Sequence, residues 1–355
     1  MIRPIISKKS KANRDQRPEA DSLVRLEDGR AIKVGFTGLG GTHPILVPAV
    51  QSYPGICVSR LPQVARIDHI PEECYPPGYD VWVVNLFAHQ STVTKIKDAY
   101  PQAKIIVQVD TLPEHLLAQN AANLITQLKA ADLIGDVSEI NARFYAGLTG
   151  KPYAIIPAPI GPMEWFEERQ NKTRAARFAE KGELMSTDFI IAADHFYIME
   201  WCLPNIAALA SVQRATGLKV KYINAGESAK QYSAATGLDC EFLPAMNFEK
   251  MLLISSEAIL AVDMYVAHSQ GRHTAAMAAL GLPAIGSVYT GGECPIKVDP
   301  FDAETVAQQA KRALGSKEVY AELRATGFEN IYRDRSDFAV GERLRQAVEL
   351  MMTKQ

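Results

Sequence analysis

Short continuous apolar runs alternate along this chain with longer segments able to form helices. The first run, AIKVGF at 31–36, ends in TGLGGTHP before an apolar stretch, so strand, glycine-rich turn and helix are expected in that order. Further strands are expected at GICVSR (55–60), DVWVVNL (80–86), KIIVQVD (104–110), ADLIGDVS (131–138) and YAIIPAPI (153–160). Runs that stay apolar instead of alternating belong to strands covered on both faces, the condition of a parallel sheet.

Pro157, Pro159, Gly161 and Pro162 then crowd together and punctuate the chain as a linker. The charged stretch EERQNKTRAARFAEKGE (167–183) reads as a solvated helix. A second series follows, with strands expected at DFIIAAD (188–194), LKVKYIN (218–224), ILAVDMYVAHS (259–269) and LPAIGSVYT (282–290), again with helices between. The last fifty or so residues read as helices, and in the final one Phe338, Val340, Leu344, Val348 and Leu350 form an apolar stripe. The expected organisation is an α/β chain of two Rossmann-like parallel-sheet domains facing a cleft. A polar arm occupies 1–30, the first domain 31–160, the second 161–335, and a terminal helix 336–355.

Length agrees, because 355 residues exceed what one hydrophobic core usually supports. With 47% apolar and 22% charged residues and a net charge of -2, the chain has no global basic field to draw it to nucleic acid or membrane. The arm does carry Lys8, Lys9, Lys11, Arg14 and Arg17. Five scattered cysteines without CxxC spacing argue against a zinc site or a disulfide framework. The N-terminus carries charges from Arg3 to Arg30 with no apolar core of signal-peptide length, no segment approaches the length of an integral membrane span, and a cytoplasmic location is expected.

The string AVDMYVAHSQGRHTAAMAALGLPAIGS, followed by YTGGE at 289–293, resembles the donor-binding segment of the nucleotide-sugar-dependent GT-B glycosyltransferases. In that family a strand ends in a small or histidine residue, a glycine-containing turn opens a helix, and the helix closes on a glycine-apolar-proline signature. The corresponding positions here are His268, Gly271, Thr274, Gly281 and Pro283. The helical tail and the passage ADLIGDVSEINARFYAGLTGKPYAIIPAPIG are similar too, and the resemblance implies that the terminal helix at 336–355 crosses back to the first domain. Two features depart from the family. The spaced glutamates of its retaining members have no acid here near Gln270 and Ala276 to Met277, and Asp194 and His195 stand where an Arg and Lys clamp is usual.

The resemblance implies a metal-independent transferase with no cofactor, in which a nucleotide sugar, a UDP-sugar before others, is the donor substrate. A leaving diphosphate is held well by a helix N-terminus with free N–H groups, and HSQGRHT offers one. Gly271 admits the backbone, Arg272 makes charge-assisted bonds, and His273 and Thr274 start the helix; the plain alternative is an ordinary turn with a surface arginine. Gly291 and Gly292 would admit the donor closely and Glu293 would accept from its hydroxyls, unless the pair belongs to a simple loop. His195 would touch phosphate in place of the clamp, or serve only structure.

In the first domain Gly40 and Gly41 precede His43 at the carboxyl end of the first strand, where open α/β sheets bind ligands. His43 suits the removal of a proton from an acceptor hydroxyl, with Asp110 orienting its ring, and His89 is a weaker candidate of the same kind. A helix-capping or supporting histidine is the alternative. The glycines also match a dinucleotide fingerprint loosely, but Asp68 stands too far along to complete it, so an oxidoreductase is not expected. Three readings follow: a glycosyltransferase, a catalytically silent binding or regulatory protein of the same fold, and a sugar-nucleotide epimerase. The acceptor stays open among small molecule, glycan, protein and modified DNA.

Overall fold

The computed structural model describes residues 29, 32–38, 66–69, 74–86, 90–109, 113, 118–157, 159–160, 163–193, 202–268, 271–289 and 294–353. The strand expected at 55–60 lies outside them. The chain packs as two units, one running to Pro159 and resuming at Asp337–Gln355, the other spanning Ile160–Ser336.

The first unit holds β1 (Lys33–Gly38), β2 (Arg66–His69), β3 (Val81–Leu86), β4 (Lys104–Val109), β5 (Leu133–Asp136) and β6 (Tyr153–Ile155). They form one parallel sheet in the order β2-β1-β3-β4-β5-β6. Successive side chains of a strand point to opposite faces, and the apolar runs supply both. Val34, Phe36, Val81, Val83 and Ile106 pack with Val340, Leu344, Ala347 and Val348 of the terminal helix (Asp337–Thr353). Trp82, Val84, Leu86, Ile105 and Val107 build the other face with residues of α1 (Thr92–Ala99) and α2 (Ala118–Ala130). Each fully buried aliphatic side chain there contributes roughly 1.5–3 kcal/mol. Gly35 is required by close approach, since a Cβ at that position would lie 3.1 Å from the Tyr79 ring and 3.2 Å from that of Trp82. β5 leads to α3 (Glu139–Thr149), whose chain turns back through Gly150 at φ 71°.

In the second unit the charged stretch forms α4 (Met163–Arg169), a short 3-10 turn and α5 (Arg174–Lys181). It is not wholly solvated. Arg174 is buried and bonds Asp188 twice, Nε to Oδ1 at 2.6 Å and Nη2 to Oδ2 at 2.7 Å, while Asp188 also accepts the Met185 N–H at 2.7 Å. Charge density along a sequence does not reveal that one member of the run will be drawn inward by a partner.

The chain continues through β7 (Phe189–Ala193), α6 (Leu203–Thr216), β8 (Lys219–Ile223), α7 (Glu227–Thr236), β9 (Cys240–Leu243) and α8 (Phe248–Ser255). It then forms β10 (Leu260–Asp263), α9 (Arg272–Ala279), β11 (Ala284–Ser287), β12 (Ile296–Val298), α10 (Ala303–Gly315) and α11 (Lys317–Asp334). These strands are again all parallel, in the order β12-β11-β10-β7-β8-β9. β2, β9 and β12 were not expected from the sequence. β9 and β12 lie at the sheet edges, where burial is incomplete and the apolar signal correspondingly weak.

α9 is buried from His273 to Ala279, and its small residues let α11 come near: a Cβ at Gly327 would lie 3.4 Å from that of Ala278. The helix ends on Gly281 at φ 67°, with Gly281 N–H bonding Ala278 O at 2.9 Å and Leu282 N–H bonding Met277 O at 2.9 Å. Arg324 of α11 donates to Gly281 O at 2.7 Å and to Gln170 O at 2.8 Å. Burial lowers its pKa, since removal from water disfavours the charged form. The chain leaves and re-enters this unit at adjacent points, where Ile160 N–H bonds Arg335 O at 2.7 Å.

Candidate functional site

The strand order of the second unit reverses between β7 and β10. From β7 the sheet grows one way through β8 and β9, and from β10 the other way through β11 and β12. Connections leaving the carboxyl ends of two such strands pass to opposite faces and open a crevice, the usual ligand position in open α/β sheets.

β10 ends there on Asp263, which is fully buried. Its Oδ1 accepts the N–H of Ala193, the last residue of β7, at 3.2 Å. Its Oδ2 lies 2.5 Å from Nδ1 of His273. Asn205 of α6 braces the next residue, accepting the Met264 N–H at 3.1 Å and donating to the Tyr222 hydroxyl at 3.1 Å. The end of β10 is thus tied to β7, α6 and α9 by polar contacts.

α9 begins at Gly271, whose φ of 56° and ψ of 45° are left-handed and suit a residue without a Cβ. The first backbone bond of the helix is Ala275 N–H to Gly271 O at 2.8 Å. The first N–H groups of a helix have no intrahelical acceptor, the cap residue here has no side chain to bond them, and no acid stands in the first turn. Such an end carries partial positive charge and suits an anion. Gly271, Arg272, His273 and Thr274 therefore share one turn. Thr274 is fully buried and gives its hydroxyl to Gly271 O at 2.8 Å, so its side chain serves the turn. His273 is only 6% exposed, and its Nε2 is buried without a hydrogen-bond partner among the described residues. Beside this turn the His268 ring meets that of Tyr289 edge-on, centroids 5.1 Å apart, bringing the segments after β10 and β11 together.

Gly40, Gly41, His43, His89, Asp110, His195, Gly291, Gly292 and Glu293 lie outside the described residues. Along the chain they follow the carboxyl ends of β1, β3, β4, β7 and β11. The carboxylate–imidazole pair expected of Asp110 and His43 has a counterpart in Asp263 and His273. Asp263 was not singled out in the sequence. Its signal was an acid closing the apolar run ILAV, followed by a histidine in the first turn of the next helix.

In the first unit the strand order reverses between β1 and β3. There Thr37 Oγ1 and Asn85 Oδ1 are buried without hydrogen-bond partners among the described residues. Also among the described residues, no three His, Cys, Asp or Glu side chains converge as a metal site, and no helix is long and apolar enough to cross a membrane. Cys240 has its thiol pKa pushed up to about 12 by burial and by Asp239 and Glu241, which keeps it protonated and unreactive.

Neither a protein-family model nor a curated protein sequence matches the chain. Solved structures do. Sucrose-phosphate synthase from Thermosynechococcus elongatus superposes with a TM-score of 0.65 at 13% identity, over 91% of this chain and 100% of that one. HepE of Anabaena, solved in complex with UDP-glucose, gives 0.64 at 11% identity, over 90% of this chain and 100% of that one. An alpha-glucosyltransferase in complex with UDP and a 13-mer DNA containing an HMU base gives 0.61 at 10% identity, over 92% and 100%. Likeness at this identity establishes architecture. The fold is GT-B, two Rossmann-like α/β units, as the sequence resemblance implied.

Proposed function

We propose that the chain moves a sugar from a nucleotide-sugar donor to an acceptor hydroxyl, without a metal, and that the donor diphosphate sits at the N-terminus of α9. The observation that carries this reading is the left-handed Gly271 that opens α9, placed beyond the strand reversal between β7 and β10. Donors of this class fit that turn because the bond to be broken leaves negative charge on a phosphate oxygen, where a helix N-terminus and Arg272 would act most strongly. UDP-sugars come first among donors, since UDP-glucose and UDP are bound by the HepE and alpha-glucosyltransferase relatives in fold. Gly291, Gly292 and Glu293 would line the same donor, with His195 near its phosphates.

On the acceptor side His43 would take the hydroxyl proton, oriented by Asp110, as the acceptor oxygen bonds to the anomeric carbon and the diphosphate departs. The acceptor is a small molecule, a glycan, a protein or modified DNA, the last being what the alpha-glucosyltransferase was solved with. The test is a thermal-shift screen against UDP-, GDP-, ADP-, TDP- and CMP-sugars on wild type and Arg272→Ala. A rise with one nucleotide that Arg272→Ala abolishes is the expected result, because a ligand of the native state raises its melting temperature. No rise with any of them overturns the reading.

A further inference from the structure

His273 sits second in α9, and a helical Cα–Cβ bond tilts toward the helix N-terminus, so its ring projects to the N-terminal end of the helix. One ring nitrogen is committed. A carboxylate can only accept, so the 2.5 Å contact of Nδ1 with Asp263 Oδ2 places a proton on Nδ1. The other nitrogen, Nε2, is buried and has no partner among the described residues. A polar atom in that condition costs stability unless a ligand completes it.

The charge on Asp263 bears on the second proton. Asp263 is 0% exposed, and among the described residues the imidazole is its one ion-pair partner. A buried carboxylate without a counter-charge is strongly unfavourable, and a ring protonated on both nitrogens neutralises it. Nε2 then carries a hydrogen and faces the ligand end as a donor, adding to the N–H groups of the turn. Asp263 is itself fixed by the Ala193 N–H at 3.2 Å, so the ring has little freedom to turn away.

We infer that Asp263 is a positioning residue that holds His273 as a buried cation, with Nε2–H presented to the diphosphate of the donor at the N-terminus of α9. The inference rests on the donor reading of that turn and adds a side chain to it. As the bond between anomeric carbon and phosphate oxygen breaks, its electron pair stays on the oxygen, and the Nε2–H hydrogen bond opposes the charge that accumulates there. The proton stays on His273. The acceptor oxygen bonds the anomeric carbon and loses its own proton to the base on the acceptor side.

The experiment is nitrogen-resolved NMR of the histidine rings of the full chain, with His273 assigned through His273→Gln and with UDP and inorganic pyrophosphate as probes. In free wild type, both nitrogens of His273 should carry protons, and Nε2 should shift as UDP saturates. Asp263→Asn, which preserves size and an acceptor for the Ala193 N–H, should remove the doubly protonated signature and weaken UDP by about tenfold or more. His273→Gln should weaken UDP similarly, and the double variant no further, because the two residues act as one unit. A free-ring Nε2 without hydrogen overturns the inference, as does an Nε2 signal unmoved at saturation, or Asp263→Asn binding within about twofold of wild type. If no nucleotide binds, the donor reading fails by the thermal screen. The pyrophosphate titration then still decides whether Nε2 meets an anion, and an unmoved signal overturns that too.

Discussion

At the strand reversal of the first unit, between β1 and β3, the buried polar atoms are Thr37 Oγ1 and Asn85 Oδ1, neither with a partner among the described residues. At the reversal of the second, between β7 and β10, a buried carboxylate is paired to an imidazole and to the backbone of the neighbouring strand. The same contrast runs through the interiors. The first unit is held by two apolar faces of one sheet, closed on one side by a helix from the far end of the chain. The second buries several charged groups, Arg174 with Asp188, Asp263 with His273, and an arginine on two carbonyls at the foot of α9, where the first, among the described residues, buries Asp136. Apolar packing is tolerant of small shifts, whereas buried charges demand fixed partners. Fixed geometry is where the proposed donor turn stands.

If this contrast is right, the largest effect follows from Asp188→Ala. It strands the Arg174 guanidinium, now bonded at 2.6 and 2.7 Å, and should remove about 3–5 kcal/mol, as broken buried pairs do. Denaturant unfolding followed by amide exchange should show the loss in β7–β12, with protection in β1–β6 kept. Equal loss in both sheets would erase the distinction.

A smaller and opposite pattern is expected of Leu344→Ala. Leu344 is 4% exposed within the first unit's core, and its truncation should cost about 2–4 kcal/mol, felt in β1 and β3. Exchange that loosens β7–β12 instead would assign the terminal helix to the wrong unit.

The smallest effect concerns the rim of that helix. Glu342 accepts from Arg345 at 2.6 and 3.0 Å, and this hydrogen bonding, opposed by partial burial, lowers its pKa. A carboxyl lowered in the folded state lends stability above its ordinary range and loses it as pH falls through the folded value. Acid titration followed by circular dichroism should show early loosening of the terminal helix, and Glu342→Gln should flatten that step. An unchanged acid limb would exclude Glu342 as its source.

The sequence by itself determined the class and the punctuation. Continuous runs such as VWVVNL and FIIAA could be buried on both faces only in parallel sheets, and they became β3 and β7. Gly271 and Gly281 marked the start and stop of α9, because the left-handed conformations found there favour a residue without a Cβ. These features are local, and local sterics decide them. The GT-B resemblance was legible for the same reason, being carried by one strand-turn-helix segment.

The tertiary structure alone decided strand order, and with it which strand ends become neighbours. Asp263 and His273 are separated by a loop, and nothing in their spacing says that Nδ1 will meet Oδ2 while β7 supplies an N–H from Ala193. Arg174 looked like one charge among many in a solvated run until Asp188 was seen to receive it. Burial of a polar group depends on partners distant along the chain, so only the assembled sheet, with its reversal between β7 and β10, shows which charges are inside and what they hold.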